Sequence, residues 1–401
     1  MTAAPNYPLT LRIRGRAAVV VGGGHVAARR ALGLRDAGAL VTVVSPDLTD
    51  ELSAAVADGS VGHLARGYEP GDLEGAWLVQ TATHNAAVDD AVMVEAESRQ
   101  IWCMKGGDPE SSHAWVPAVA RADDVIVAVN AGRDSRRAAR IRDAISTALS
   151  TGSLPLRRTR VQVLGSVALV GGGPGTADLI TTRGRRLLAQ ADVVVIDRLA
   201  PQDVLEDLDD DVLVVNVGKR PGHHPIPQRE INDLLVTHAS AGKFVVRLKG
   251  GDPYVFGRGG EEAEFCRAAG LDVEVVPGVT SAIAVPAAVG IPVTHRGLAR
   301  GFSVLTGHED IGAIQLNRDH TLVLLMGVSM LEKSCARLLE SGRNGDTPMA
   351  VIESGLLPEQ RVIVGTLSTI VALVTAAGVE PPAVTVVGDV VTLSPYWTTR
   401  P

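Results

Sequence analysis

The sequence predicts an α/β chain in two parts, a doubly wound parallel sheet followed by a larger α/β domain of two lobes. Three observations carry that reading. Short Val/Ala/Leu runs alternate with helical stretches along the whole chain. A glycine-rich loop follows the first strand of each half, at 22–24 and at 171–175. Between the halves, residues 150–166 (STGSLPLRRTRVQVLGS) break the pattern with Gly, Ser, Pro and three arginines, which marks a boundary. The expected organisation is a domain over 1–150, a linker over 151–166, and a domain over 167–401 with lobes near 167–277 and 278–395.

In the first half, 16–21 (RAAVVV) reads as a strand and 25–37 as a helix stopped by Gly38. Strands are expected at 40–44, 77–81 and 125–129, with helices at 86–99 and 135–149. The second half restarts with a strand at 167–170. Further strands are expected at 193–196, 212–217, 244–248 and 273–276, with helices over 228–241, from 260 to about 269, and on to about 289. Later strands sit near 302–305, 322–326, 350–353, 362–364 and 384–387.

Composition narrows the class. No apolar run approaches the roughly 20 residues a membrane helix needs, and the N-terminal MTAAPNYPLT lacks a signal-peptide pattern. Three scattered cysteines, Cys103, Cys266 and Cys335, suit neither a disulfide framework nor a cysteine metal site, so a cytoplasmic home is expected. The net charge of −7 disfavours a nucleic-acid partner while leaving room for a local cationic cleft.

The loop VVVGGGHVAARRAL contains Gly22-x-Gly24-x-x-Ala27 between strand and helix. Gly22 permits a tight turn, Gly24 lets a pyrophosphate approach the backbone, and Ala27 allows close helix packing, as in a Rossmann-like dinucleotide site. The second strand ends without an immediate acid. Asp47 could reach a ribose, or be a loop carboxylate or a helix cap.

Residues 9–149, through LRIRGRAAVVVGGGHVAARRALGLRDAGALVTVVSPDL and IWCMKGGDPESSHAWVPA, resemble the precorrin-2 dehydrogenase/ferrochelatase module. The resemblance implies oxidation of precorrin-2 by NAD, with His25, Val26, Pro46 and Asp47 lining the NAD site. Some members of that family also insert ferrous iron. The family's proposed general-base aspartate falls at Gly107 here, and the carboxylate stands one residue on, at Asp108. Asp108 is either its replacement or a turn-forming Asp-Pro. A second departure is Asn130-Ala131, where the family often carries serines. His63, His84 and His113 are ligand candidates by residue type only, and no metal-binding spacing is present.

The second half carries VALVGGGPGTADLITTRG, ADVVVIDRL, NVGKRPGHHPIPQREIN, VVRLKGGDPYVFGRGGEE and VVPGVTSAIAVPAAVGIPVTHRG. Pro174 interrupts its first glycine loop, so this is not a second dinucleotide fingerprint. Paired glycines at 250 and 251 suit a ligand held by backbone groups. In order and spacing these segments resemble the tetrapyrrole methylases, uroporphyrinogen-III C-methyltransferase above all, over about 166–395. The resemblance implies S-adenosylmethionine as cofactor, touching Pro174, Gly250, Gly251, Asp252, Val255, Thr280, Ser281, Met326 and Gly355. It implies Asp197 as proton acceptor and Lys219 as proton donor. The substrate would carry eight carboxylates, and twelve bases stand around these motifs: Arg183, Arg198, Lys219, Arg220, His223, His224, Arg229, Arg247, Lys249, Arg258, His295 and Arg296.

The expected protein is a fused enzyme of siroheme biosynthesis acting on a tetrapyrrole, using S-adenosylmethionine and NAD, with Fe2+ as a possible further substrate, and forming a homodimer. The alternatives are a methyltransferase whose N-terminal half only binds NAD or tetrapyrrole, and a methylase of the cobalamin branch. The short join, where relatives often carry a long helical segment, bears on the dimer and on iron insertion.

Overall fold

In the computed structural model, residues 7–132, 134–154, 156–157, 164–218, 226–307 and 319–397 are described. The chain divides into a unit over 1–144 and a unit over 145–401.

The first unit holds β1 (Ala17–Val21), α1 (His25–Asp36), β2 (Leu40–Val44), α2 (Asp50–Ala57), β3 (Gly62–Leu64), β4 (Leu78–Thr81), α3 (Ala86–Ser98) and β5 (Trp102–Met104). The five strands form a parallel sheet in the order β3-β2-β1-β4-β5. The chain winds outward from β1 through β2 to β3, then returns to add β4 and β5 on the other side. The reversal of strand order therefore lies between β1 and β4, where doubly wound folds place their ligands. Alternate strand residues feed two cores. Ala18, Val20, Val41 and Val43 pack with α1 and α2, while Val19, Val21, Val44 and Val79 pack with α3. α1 stops as the sequence predicts: Gly38 takes φ +84° and its N–H donates to the Arg35 carbonyl at 2.7 Å.

One strand departs from expectation. β6 (Ala118–Ala122) and β7 (Val125–Val129) form a separate antiparallel two-stranded sheet, so the stretch at 125–129 does not extend the parallel one. Only Asp123 and Asp124 join them, with Asp123 at φ +51°. A two-residue turn can connect only antiparallel neighbours, whereas a parallel pair needs a crossover. α4 (Ser135–Thr151) follows.

The second unit has two sheets. β8 (Ser166–Gly171), α5 (Thr182–Leu188), β9 (Val193–Ile196), β10 (Leu213–Asn216), α6 (Gln228–Ser240), β11 (Phe244–Lys249), α7 (Gly259–Ala268) and β12 (Asp272–Val276) build the first. It is fully parallel, in the order β10-β9-β11-β8-β12. Both faces are covered. Val167, Leu169, Val193, Val195 and Val245 meet α6 and α7, and Ala168, Val170, Val194, Ile196 and Leu248 meet the side carrying Leu188 of α5.

After α8 (Ser281–Ala288) come β13 (Gly301–Thr306), β14 (His320–Leu325), α9 (Leu331–Glu340), β15 (Pro348–Glu353), β16 (Arg361–Thr366), α10 (Ile370–Ala377) and β17 (Ala383–Val387). This sheet is mixed, β13-β14-β17-β15-β16, with β13 parallel to β14 and the remaining pairs antiparallel.

Leu235 of α6 is fully buried between helix and sheet. Leu235→Ala is expected to destabilise the second unit by about 2–5 kcal/mol, measured as a lower urea midpoint with the unfolding of the first unit unchanged.

Candidate functional site

In the first unit the loop 22–24 leaves β1 beside the end of β4. Gly22 takes φ +120°, and a Cβ there would overlap the Ala82 carbonyl oxygen. Gly23 is as constrained: a Cβ would overlap the Asp47 carbonyl and sit 2.7 Å from Ser45 Oγ. The Gly23 carbonyl accepts from Thr49 N–H at 3.0 Å, which joins the loops after β1 and β2. Gly24 is different. Nothing lies within 4 Å of where its Cβ would stand, and as the residue capping α1 it makes no side-chain cap bond. Open space beside uncapped helix N–H groups is what a pyrophosphate requires, so the residues fit NAD. His25, Val26, Pro46 and Asp47 are all exposed around this opening. Ala27 is fully buried in the core, as close helix packing needs. Thr49, rather than Asp47, caps α2 by accepting from Leu52 N–H.

Asp108 lies beyond β5, on a loop held to β4 by Gly106 N–H donating to Thr81 Oγ1 at 2.9 Å. Gly107 takes φ +76° and helps re-aim the chain. The Asp108 carboxylate accepts from Ser111 Oγ at 2.5 Å, from the Glu110 and Ser111 N–H groups at 3.1 and 3.3 Å, and from Lys105 Nζ at 3.2 Å. The Ser111 bonds, followed by Lys105, pull its pKa down to about 2. It therefore anchors a turn and is a weak base.

Two of the three candidate histidines have separate partners. His63 Nε2 meets the Ser45 carbonyl at 2.9 Å, and His113 pairs with Glu97. His84 sits at φ +58°. Among the described residues no group of three His, Cys, Asp or Glu side chains could hold a metal.

In the second unit, the parallel sheet delivers five loops to one edge, the C-terminal ends of β8 to β12. Gly173 and Gly251 exchange backbone hydrogen bonds at 3.2 and 2.9 Å. A Cβ on Gly171 would stand 2.5 Å from Gly278 N and 2.7 Å from the Gly251 carbonyl. Three loops thus meet backbone to backbone. Asp252 ties them, accepting from Tyr254 N–H at 2.8 Å and from Gly278 N–H at 3.0 Å. Gly251, at φ +66°, has only ordinary contacts, the nearest being Ser281 N at 3.7 Å. That cradle, which a side chain would fill, fits a ligand held by backbone groups such as S-adenosylmethionine. Thr280 caps α8 and Ser281 begins it.

Gly175 packs on Leu356, and Gly355 packs on Val285 of α8, so the second sheet closes on the same loops. Pro174 is buried, and Val255 is half-buried in the turn that follows Asp252. Met326 stands apart at the end of β14. It is half exposed with φ +55°, and Ser354 and Leu356 share that uncommon left-handed backbone at φ +48° and +69°.

Asp197 follows β9. Its Oδ1 accepts from Leu199, Ala200 and Gly250 N–H at 3.2, 3.1 and 3.4 Å, and its Oδ2 faces Arg247 Nη2 at 3.4 Å. Gly250 packs on the Leu199 carbonyl, which joins this loop to the glycine pair. Lys219, with Arg220, His223 and His224, lies outside the described residues.

The reading of the bases is corrected in part. Arg247 and Lys249 are not cleft walls. Both are buried and paired with Glu262 of α7, itself fully buried, at 3.0–3.1 Å. Arg183 pairs with Glu274 and Arg258 with Glu261. Arg198, Arg229, His295 and Arg296 are exposed. The signal for Glu262 was in the sequence: two cations two apart in a strand buried on both faces point the same way and need a counter-charge.

The sites define a two-part protein, a glycine-loop dinucleotide domain joined to a domain that cradles its ligand in backbone. A family model for putative NAD(P)-binding domains matches residues 9–118, and the model for tetrapyrrole (corrin/porphyrin) methylases matches 166–371. The siroheme synthase of Methylobacillus flagellatus is 37% identical, covering 97% of this chain and 96% of its own length. That of Azotobacter vinelandii is 37% identical, covering 96% of each. The crystal structure of uroporphyrin-III-C-methyltransferase from Thermus thermophilus is 44% identical over 57% of this chain and 94% of its own, with a TM-score of 0.49. The chain belongs to the siroheme synthase family: it is an enzyme of siroheme biosynthesis that joins an NAD(P)-binding domain to a tetrapyrrole methylase domain.

Gly23→Ala is expected to lower the melting temperature and abolish NAD binding, because the Asp47 carbonyl must move. Gly24→Ala is expected to melt as the parent does and to weaken NAD binding alone. Calorimetry and thermal denaturation on both variants check this.

Proposed function

We propose that the second half methylates uroporphyrinogen III twice to give precorrin-2, and that the first half oxidises precorrin-2 to sirohydrochlorin. The observation that carries this reading is the meeting of four strand-end loops, those after β8, β9, β11 and β12, around Gly251 and Asp197. S-adenosylmethionine supplies the methyl group when bound; Pro174, Gly250, Gly251, Asp252, Val255, Thr280, Ser281, Met326 and Gly355 are the residues proposed to hold it. Their work is to align the donor with a nucleophilic ring carbon and to exclude water. Held there, the donor would supply its methyl group to that carbon and would itself leave as the neutral thioether. A proton then leaves the ring, and we assign its acceptance to Asp197 and proton donation to Lys219. The exposed Arg198, Arg229, His295 and Arg296 suit a ring bearing carboxylates.

In the first half NAD supplies the hydride acceptor. Gly22, Gly24, His25, Val26, Pro46 and Asp47 are proposed to bind it. For Asp108 the reading is a catalytic carboxylate that stays ionised and so acts by charge and loop placement. Its low pKa argues against proton acceptance near neutral pH. A third step, iron insertion into sirohydrochlorin with Fe2+ as substrate, belongs to the same proposal. A cytoplasmic homodimer is the proposed setting; among the described residues no helix is long and apolar enough to cross a membrane. The proposed domain limits are 1–150 and 167–401, with lobes at 167–277 and 278–395.

The test is stepwise: uroporphyrinogen III with S-adenosylmethionine, then NAD, then Fe2+, following the visible spectrum. No spectral change with the first pair overturns the reading. Asp197→Asn is expected to lower kcat for methylation about 100-fold or more with donor binding intact. Asp108→Asn is expected to slow NADH formation about tenfold, the scale of a single charge-assisted contact. The pH profile should gain or lose no inflection between pH 5 and 9, because Asp108 is protonated only as pH falls toward 2. An unchanged rate would leave Asp108 as a turn anchor.

A further inference from the structure

β11 sends Arg247 and Lys249 to the same face of the parallel sheet, under α6 and α7. They meet one carboxylate there, Glu262, which is 0% exposed, against 3% for each cation. Glu262 Oε1 accepts from Arg247 Nε at 3.1 Å, Lys249 Nζ at 3.1 Å and Gln228 Nε2 at 3.0 Å, and Oε2 accepts from Lys249 at 3.0 Å. Gln228 Nε2 also donates to Asn232 at 3.0 Å. Arg247 Nη1 donates to the Val195 and Leu248 carbonyls at 3.3 and 3.1 Å, which fixes its plane. Two cations and one carboxylate leave one positive charge unmatched in a site buried from solvent. An unmatched buried charge is costly. The carboxylate that completes the count is Asp197, reached by Arg247 Nη2 at 3.4 Å and felt electrostatically by Lys249.

We propose that Arg247, Lys249 and Glu262 form a buried positioning unit for the methylation step, which orients Asp197 and sets its charge through Arg247. None of the three touches substrate. Arg247 and Lys249 on β11, Arg198 beside Asp197 and Glu262 on α7 behind are the charged groups around that carboxylate among the described residues. The inference rests on the assignment of Asp197 as proton acceptor. With Glu262 neutralised, Asp197 alone faces two cations and accepts a proton less readily. Removing one cation together with Glu262 restores the balance and keeps the Arg247–Asp197 contact.

The experiment uses the full chain and follows label transfer from S-adenosylmethionine to uroporphyrinogen III. Glu262→Gln is expected to lower kcat about 10- to 100-fold, with both KM values and donor binding by calorimetry unchanged. The double variant Lys249→Met/Glu262→Gln is expected to recover to within about threefold of the parent, since neutral groups replace paired charges. A purely structural role predicts a double variant no better than the single one, and that result overturns the proposal. If Glu262→Gln does not fold, Lys249→Met serves: leaving a carboxylate in excess, it should raise the acid limb of the kcat profile while the double variant does not, and no shift overturns the proposal. Asp197→Asn is measured alongside. Full activity of Asp197→Asn would refute the acceptor assignment itself. A slow Asp197→Asn on which Glu262→Gln still acts in full would refute only the positioning unit.

Discussion

Glu262 is the group on which the second unit's active edge depends. A strand buried on both faces has no water to offer a cation, yet β11 carries two, on alternate residues, pointing into the helical layer. Their desolvation is offset chiefly by Glu262, and Lys249 bears the consequence: burial, followed by the neighbouring Arg247, lowers its pKa despite the carboxylate it touches. This arrangement fixes the end of β11. The next residues, Gly250 and Gly251, are the ones that meet the loops after β8, β9 and β12. A hydrogen-bonded charge cluster behind the glycine pair gives that pair a defined place.

The two halves solve the same topological problem with different chemistry. Each places a glycine loop after its first strand, at the C-terminal edge of a parallel sheet. In the first half the loop opens a helix, and Gly24 leaves that helix's N–H groups unspent, which suits phosphate. In the second half Pro174 stops the loop from opening a helix at once, and Gly173 pairs with Gly251 instead. The backbone groups there are largely spent on one another, so what remains is a shaped rim for a ligand without phosphate.

Most strands were legible because buried parallel strands are short apolar runs bounded by polar or turn residues, as at 193–196 and 244–248. The stretch 125–129 looked the same but paired otherwise, because pairing partners are decided by loop length, here the two residues after Ala122. Short elements with weak patterns, such as β3, β5 and α5, gave no clear signal. Within the site, glycine loops were legible by motif. The roles of charged side chains were not: Arg247 and Lys249 look like cleft residues until the alternation of β11 is combined with the burial of both its faces. The constraint on Gly23 was also hidden, since it comes from the Asp47 carbonyl, 24 residues away.

Asp108 and Asp197 show why a carboxylate at a strand end is not by itself a catalytic base. Both accept backbone N–H groups from the turn that follows them, so local geometry alone would rank them equally. Asp108 spends its remaining capacity on Ser111 and Lys105, side chains three residues away on its own loop, and its proton affinity collapses. Asp197 spends only Oδ1 on backbone groups, and its Oδ2 looks to Arg247, a cation that already belongs to Glu262. A partner shared with a second carboxylate holds less tightly than one held alone. Asp197 thus keeps one oxygen outside the turn it caps, and that oxygen faces a cation of the neighbouring strand, which is the geometric difference between the two carboxylates.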